Sequence, residues 1–348
     1  MNIVVRVDSS ALIGSGHLMR CLAMAERQRK VGDKVIFVCR DLEGNISRIV
    51  AEFGFDLHLL QSRNVEQECL GYTKWLVVSQ KQDASDTINV IKKFDKIDKL
   101  VVDNYAIDIT WEKMLRPYVD EIMVIDDLAN RCHDCDILLD QNFYLNKEKR
   151  YQGLVPEHCE LLLGPKHALL REEFSLARKN LRLRDGILRH ILVFYGGVDA
   201  TDETSKAVKA LAEMDISGLK VTVVVGAGNN RKETIADLCR QAGFTYHCQI
   251  SNMAELMADA DLMLGAGGST TWERCYLGLP AIVTAVAANQ WQICVDCAKA
   301  GLIFYLGHHD AVTVADRCLA VRQFVMKRDL ILDMQSKCLA LMNKKSPD

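Results

Sequence analysis

The chain has 348 residues, and its 43 Lys+Arg against 46 Asp+Glu give a formal net charge of −3. With 49% hydrophobic residues, 26% charged residues and 5 prolines, it reads as a folded globular protein; a disordered chain, a collagen-like chain and a coiled-coil rod are excluded. The near-balanced charge supplies no basic field, so no nucleic-acid partner is expected.

No run approaches the roughly 20 apolar residues that a membrane span needs, so no membrane association is expected. The opening MNIVVRVDSS reads as a first strand rather than a signal peptide. Together with 13 cysteines, an odd number in a large chain, this implies reduced thiols and a cytoplasmic setting.

Short apolar runs at 3–7, 34–38, 57–60, 100–102, 122–125 and 137–139 alternate with helical patterns, notably 17–31 and 45–53. Such alternation predicts βαβ units and a parallel sheet. A charge-rich stretch, 165–189, reads as a surface helix and linker. A second series follows, with strands at 190–194, 221–225, 245–247, 261–264 and 281–283 and helices at 203–214, 231–242, 253–258, 270–277 and 290–300. The tail, 312–343, reads as one or two amphipathic helices.

The expected fold class is therefore α/β, with two Rossmann-like lobes. Its expected divisions are an N-terminal lobe at 1–165, a linker at 166–189, a C-terminal lobe at 190–310 and a helical tail at 311–348. Ligands in open α/β sheets bind outside the carboxyl ends of the strands, so the cleft between the lobes is the expected site.

Two CxxC pairs, Cys132/Cys135 and Cys294/Cys297, have metal-ligand spacing but lie far apart in the chain without a compact knuckle. Cys294 and Cys297 fall in a helical pattern and read as one buried face.

Four segments have the composition for chemistry. The first strand is followed by Gly14-Ser-Gly16-His17-Leu-Met-Arg20. Its glycines permit a tight path, the following helix presents free N–H groups to an anion, and His17 at the positive end of the dipole favours a neutral imidazole that accepts a proton. Arg20, one turn on, suits a carboxylate or phosphate. The dinucleotide fingerprint is broken at Met19, so no NAD or FAD is expected.

The second segment, Gly267-Gly268-Ser269-Thr270-Thr271-Trp272-Glu273, suits a diphosphate cradle, with Glu273 placed to accept from a ribose diol. The alternative is a capping box closed by Glu273. The third, Asn289-Gln290, reads as amides for a base edge or sugar hydroxyls, or as a helix cap. The fourth comprises Asp103-Asn104-Tyr105, Asp126-Asp127 with Arg131, and Asp140-Gln141-Asn142, each at a predicted strand end. Asp126 and Asp127 are candidates for Mg²⁺ or for capping.

Taken together and in this order, these segments and Gly196-Gly197-Val198-Asp199 resemble the UDP-2,4-diacetamido-2,4,6-trideoxy-β-L-altropyranose hydrolases of pseudaminic acid synthesis, relatives of the MurG-like superfamily. The resemblance implies a GT-B fold, no metal and no cofactor. It implies hydrolysis of a UDP-linked diacetamido sugar by water attack at the anomeric carbon with inversion. His17 matches the family's active-site histidine; Gly268, Ser269, Glu273, Asn289 and Gln290 match its UDP-binding segments. Gly14, Gly16, Arg20 and Thr270 are expected to bind substrate, and Asp103 and Tyr105 to position the sugar. A monomer is expected. A UDP-sugar glycosyltransferase and a non-catalytic nucleotide-sugar-binding protein remain alternatives.

Overall fold

A computed structural model describes residues 1–62, 71–214 and 218–343. Its elements run β1 (Asn2–Val7), α1 (Gly16–Lys30), β2 (Lys34–Arg40), α2 (Arg48–Glu52), β3 (Asp56–Leu60), α3 (Gln80–Ile91), β4 (Lys99–Asp103), α4 (Ile109–Leu115), β5 (Glu121–Ile125), β6 (Ile137–Asp140) and β7 (Glu160–Leu163). They continue as α5 (Glu172–Lys179), β8 (His190–Phe194), α6 (Glu203–Ala212), β9 (Lys220–Val225), α7 (Lys232–Ala242), β10 (Thr245–Cys248), α8 (Met253–Asp259) and β11 (Leu262–Ala266). The chain finishes with α9 (Thr270–Tyr276), β12 (Ala281–Ala285), α10 (Trp291–Lys299), β13 (Phe304–His308), α11 (Val314–Met326) and α12 (Arg328–Met342).

The chain divides into two compact units, 1–142 with 146–169, and 143–145 with the chain from Leu170 onward. The first holds a parallel sheet in the order β3-β2-β1-β4-β5-β6-β7 and the second one in the order β10-β9-β8-β11-β12-β13. Both are doubly wound, and each reverses strand order between its first and fourth strands. That reversal opens a crevice at the carboxyl ends where a ligand can reach backbone groups.

β1 shows why the first sheet is buried on both faces. Val4 packs with Ile36, Leu100 and Trp111 on one side, while Ile3 and Val5 pack with Leu18, Leu22 and Phe37 on the other. A near-continuous apolar run is what a strand covered by helices on both sides requires. In α1, Leu18, Cys21, Leu22 and Ala25 recur at helical spacing and are buried, while Arg27, Arg29 and Lys30 suit its negative C-terminal end.

Three expectations change. Strands β7 and β13 were not foreseen. Both are sheet edges with no fully buried residue, so neither shows the burial-driven pattern that betrays an inner strand. The stretch 165–189 is not wholly a surface linker. Arg184 is 2% exposed and donates to the carbonyls of Met257, Ala260, Leu277 and Gly278 at 2.7–3.1 Å. It satisfies orphan carbonyls around the ends of α8 and α9. The tail is also integral to the second unit: Ile331 and Cys338 of α12 and Phe324 of α11 are fully buried. Cys294 and Cys297 lie buried on α10, as its periodicity indicates. Among the described residues no helix is long and apolar enough to cross a membrane.

Candidate functional site

In the first unit the site grows from the switch point between β1 and β4. After β1 the chain turns through Ser10 to Gly14, where the Gly14 N–H donates to Ser10 O at 2.8 Å and Gly14 has φ +80°. A side chain disfavours that backbone region, and no neighbour lies within 4 Å of where a Cβ would sit, so the need here is conformational. Gly16 then begins α1, and Ser15 provides no side-chain cap, leaving first-turn N–H groups for other acceptors.

One turn of α1 brings His17 and Arg20 together over Asp103, the last residue of β4. His17 Nδ1 lies 2.6 Å from Asp103 Oδ1. Arg20 grips the same carboxylate at both oxygens, Nη2 to Oδ1 and Nε to Oδ2, each at 2.6 Å. The Cys21 thiol adds a donor to Oδ2 at 3.4 Å. Burial pushes the Asp103 carboxyl up, but Arg20 and then His17 outweigh it and hold it well below the usual carboxylate range.

An ionised carboxylate only accepts, so His17 Nδ1 carries the hydrogen. Arg20 Nη2 is also 3.1 Å from Nδ1, but two donors cannot bond each other, and that guanidinium nitrogen is directed at Asp103. The other ring nitrogen of His17, Nε2, has no hydrogen-bond partner among the described residues.

Aromatic rings wall the imidazole. Trp75 and Tyr105 meet it edge-on, with centroids 5.3 and 4.7 Å away. Trp75 stacks on Tyr105 at 4.9 Å, and Tyr72 lies 5.1 Å from each. The Tyr105 hydroxyl donates to Asp127 Oδ1, and burial with the nearby Asp127 charge keeps the phenol protonated.

Asp103 and Tyr105 thus sit differently from the sugar-positioning expectation. Both Asp103 oxygens are engaged by protein, and the Tyr105 hydroxyl is held by Asp127. Tyr72 and Trp75 are site residues that the motifs do not point to. Aromatics among polar residues just before a helix were the available signal.

Asp126 and Asp127 are each tied into protein contacts. Asp126 accepts from Arg131 Nη1 at 2.7 Å and from the Ala129 N–H at 2.9 Å. Asp127 accepts from Tyr105 and from Asn142 Nδ2 at 2.8 Å. Asp140 closes this wall. Its Oδ1 accepts from the Asn142 N–H at 3.0 Å, and its Oδ2 lies 3.2 Å from Arg150 Nε and 3.1 Å from the Tyr151 hydroxyl. Burial, then the Asp127 charge, pushes the Asp140 carboxyl up to about 7 despite Arg150.

The sign of the resulting stability term follows from linkage. A raised folded-state value contributes stability that is fully present below the unfolded value near 4 and is lost as pH rises through 7. Between pH 5 and 7 the folded carboxyl holds its proton and the unfolded one does not, a difference worth roughly 3 kcal/mol. Asp140→Asn cannot ionise, so its stability relative to wild type is expected to improve by about that amount between pH 5 and 8. Urea midpoints of both proteins at the two pH values check this; parallel pH dependences would overturn it.

The second unit repeats the switch-point geometry between β8 and β11. After β8, Asp199 of the Gly196-Gly197-Val198-Asp199 turn accepts from the N–H groups of Glu203 and Thr204 at 2.9 and 2.8 Å, capping α6. At the end of β11 and just beyond it, glycines are imposed by close packing. A Cβ on Gly265 would lie 2.8 Å from Phe194 O, and one on Gly267 only 2.3 Å from Cys294 Sγ. Gly268 is different: its nearest neighbour would be Gln290 Nε2 at 3.7 Å, so here the backbone is open to an approaching group.

The capping-box alternative for Glu273 is not formed. Ser269 is the cap residue of α9 without a side-chain bond, and Glu273 Oε1 instead accepts from Arg171 Nη2 and Nε at 3.1 and 3.2 Å. Burial raises its carboxyl and Arg171 partly offsets this. The hydroxyls of Ser269 and Thr270 make no hydrogen bond among the described residues. Arg274, fully buried, pins the turn through the Ala266 carbonyl at 3.1 Å.

Gln290 Oε1 accepts from the Val286 N–H at 3.0 Å, which orients its Nε2 toward the Gly268 backbone. Asn289 lies in the short turn Ala288–Gln290 before α10 and is not that helix's cap. Gly268, Ser269, Thr270 and Gln290 are thereby gathered at one loop cluster, with Glu273 one turn into α9.

Comparison with known proteins agrees with this architecture. Residues 190–290 match the glycosyltransferase family 28 C-terminal domain. The chain is 25% identical over 302 residues to the UDP-2,4-diacetamido-2,4,6-trideoxy-beta-L-altropyranose hydrolase of Campylobacter jejuni, covering 86% of this chain and 97% of that one. It is 26% identical over 295 residues to Uncharacterized protein MJ1062 of Methanocaldococcus jannaschii, covering 81% of this chain but spanning only 55% of that relative. Acinetobacter baumannii MurG shares the fold with a TM-score of 0.64 at 14% identity, over 97% of this chain and 94% of MurG. With two parallel-sheet Rossmann-like lobes, and a match to the glycosyltransferase family 28 C-terminal domain in the second, the chain has the GT-B fold and is similar over most of its length to the Campylobacter hydrolase.

Proposed function

We propose that the protein hydrolyses a UDP-linked 2,4-diacetamido-2,4,6-trideoxy sugar, releasing UDP from the anomeric carbon. The observation that carries this reading is the Asp103–His17 pair, 2.6 Å apart at the β1/β4 switch point, with Arg20 neutralising the carboxylate. It supports a role for His17 as a base whose Nε2 takes a proton from water. The likeness to the Campylobacter hydrolase over 86% of the chain supports the choice of substrate class.

In the proposed step, water attacks the anomeric carbon as the C–O bond to the diphosphate breaks. The bonding pair leaves with UDP, and the water proton passes to His17 Nε2. Inversion follows from attack opposite the leaving group. The open Gly268 backbone and the hydroxyls of Ser269 and Thr270 stabilise the departing diphosphate. Glu273 Oε2 and the Asn289 amide bind the nucleoside, while Gln290 Nε2 lines the loop. Gly14 and Gly16 shape the turn that presents His17, and the rings of Tyr72, Trp75 and Tyr105 present apolar surface beside it.

An NMR time course of UDP-2,4-diacetamido-2,4,6-trideoxy-β-L-altropyranose, with EDTA and no acceptor, tests this. UDP and a free sugar of inverted anomeric configuration are expected. His17→Phe is expected to abolish turnover while keeping UDP affinity; turnover at the wild-type rate in that variant would sink the assignment. A sugar nucleotide left intact until an acceptor is added would instead make the protein a glycosyltransferase, the reading that the family 28 domain also supports. One left intact under all conditions would make it a binding protein.

A further inference from the structure

At the carboxyl end of β13, the sheet edge of the second unit, His308, His309 and Asp310 follow one another in the chain. In an extended strand, neighbouring side chains point to opposite faces. Here the chain turns instead: the Ala311 N–H donates to His308 O at 3.0 Å, closing a four-residue turn. The turn brings the two imidazoles to 4.3 Å between centroids. The Nδ1 of His308 lies 3.2 Å from one Asp310 oxygen, and that of His309 lies 2.9 Å from the other. One potential ligand atom from each of the three residues falls within 4.8 Å of the others.

The backbone beneath is held. His308 is in register with Ala285 of β12, and the His309 N–H donates to Ala285 O at 2.9 Å. Among the described residues, no Lys or Arg forms a salt bridge with Asp310, whose side chain is 74% exposed. Nor does any other group of three such side chains gather this closely among the described residues.

From this geometry we infer that His308, His309 and Asp310 form a binding site for a borderline divalent transition ion such as Zn²⁺. Two imidazole nitrogens and one carboxylate suit such an ion and not Mg²⁺ or Ca²⁺, which select all-oxygen sets. Bonds of about 2.0–2.2 Å in tetrahedral array place ligand atoms roughly 3.3 Å apart. Here the two imidazoles contact different oxygens of Asp310, at 3.2 and 2.9 Å, and one ligand atom from each residue lies within 4.8 Å of the others, so rotation of the exposed Asp310 side chain brings the set toward that spacing. On binding, each imidazole moves its proton from Nδ1 to Nε2 and the nitrogen lone pair replaces the hydrogen bond to Asp310. Three protein ligands leave the fourth position to water. The site adjoins the segment running from Ala285 to Gln290 but contains none of the residues proposed for hydrolysis, so the two assignments stand or fall separately.

The test is calorimetric titration of the full chain with zinc chloride after its accessible thiols, including Cys132 and Cys248, are blocked with N-ethylmaleimide. One equivalent is expected to bind the wild type. Single variants His308→Gln, His309→Gln and Asp310→Asn are each expected to weaken binding by at least about tenfold, with thermal unfolding of the metal-free proteins unchanged. Failure of the wild type to bind one equivalent would overturn the site, as would undiminished binding by all three variants. Calcium and magnesium titrations should show no saturable heat; saturation by either would overturn the assigned ion class.

Discussion

Asp103→Asn is expected to lower turnover by about 10³-fold or more with little change in UDP affinity. Loss of the carboxylate in an Asp–His pair acts by misdirecting the imidazole rather than by removing a reacting group. Here Asp103 is 1% exposed, and its two oxygens hold His17 Nδ1 and two Arg20 nitrogens at 2.6 Å. An asparagine offers one acceptor and one donor in place of two acceptors. Arg20 needs acceptors, so it draws the amide oxygen, and the amide N–H₂ turns toward His17 Nδ1. That tautomer puts the hydrogen on Nε2 and removes the proposed base.

Asp103 acts through His17 as a positioning residue under the proposed function, so kcat should fall while KM holds. Imidazole ¹⁵N shifts should report the exchanged tautomer, which a merely structural role would not produce. Turnover within tenfold of wild type would show that the proposed base does not depend on Asp103.

Asp83→Ala is expected to destabilise the protein by about 3–5 kcal/mol. Asp83 of α3 lies under the same switch point and is fully buried with Arg6 and Arg40. Arg6 donates to both its oxygens at 3.0 and 2.7 Å, Arg40 donates twice to Oδ2 at 3.0 and 2.7 Å, and the Trp111 indole donates to Oδ1 at 3.0 Å. Asp8 accepts from Arg6 and from the Arg40 N–H, each at 2.6 Å, and Asn104 reaches its other oxygen at 2.8 Å.

Removing Asp83 leaves two buried guanidinium groups without their shared counter-ion, and desolvated charge is what makes such a loss costly. Urea unfolding checks this; a shift below about 1 kcal/mol would show that water or Asp86 replaces it. The pH sign is opposite to that of Asp140. Burial raises the Asp83 carboxyl, but Arg6 and Arg40 hold it below its usual range, so its stabilising contribution is present above the unfolded value near 4 and is lost as pH falls below it.

Much of the fold was legible because parallel βαβ units leave a strong local signature. β1 is apolar at nearly every position since both faces are covered, and α1 repeats its apolar residues at helical spacing. β7 and β13 escaped notice because edge strands are half-solvated and need no such pattern. Arg184 escaped because a charged residue in a charged stretch looks solvated unless the carbonyls it meets are known, and those carbonyls come from residues 73 to 94 positions away.

The candidate site was legible in its residue types and less so in their roles. The motifs contain His17, Arg20 and Asp103 and suggest a carboxylate or phosphate for Arg20 and a sugar for Asp103, whereas the two residues bind each other. Their contact spans 83 positions, which no spacing reports. Glu273 offered a cap or a ribose contact, whereas its Oε1 holds Arg171, 102 positions away.

By itself the sequence determined the two α/β lobes, the turns after β1 and β11 where side chains must be absent, and the presence of a histidine at a helix start. These follow from local steric and periodic rules that act within a few residues. Only the tertiary structure decided which nitrogen of His17 faces Asp103, which carboxylates are already engaged, and which one sits near neutrality. Those are properties of burial and of charges brought together across the sheet, and their physical cause is desolvation, which no local stretch of sequence carries.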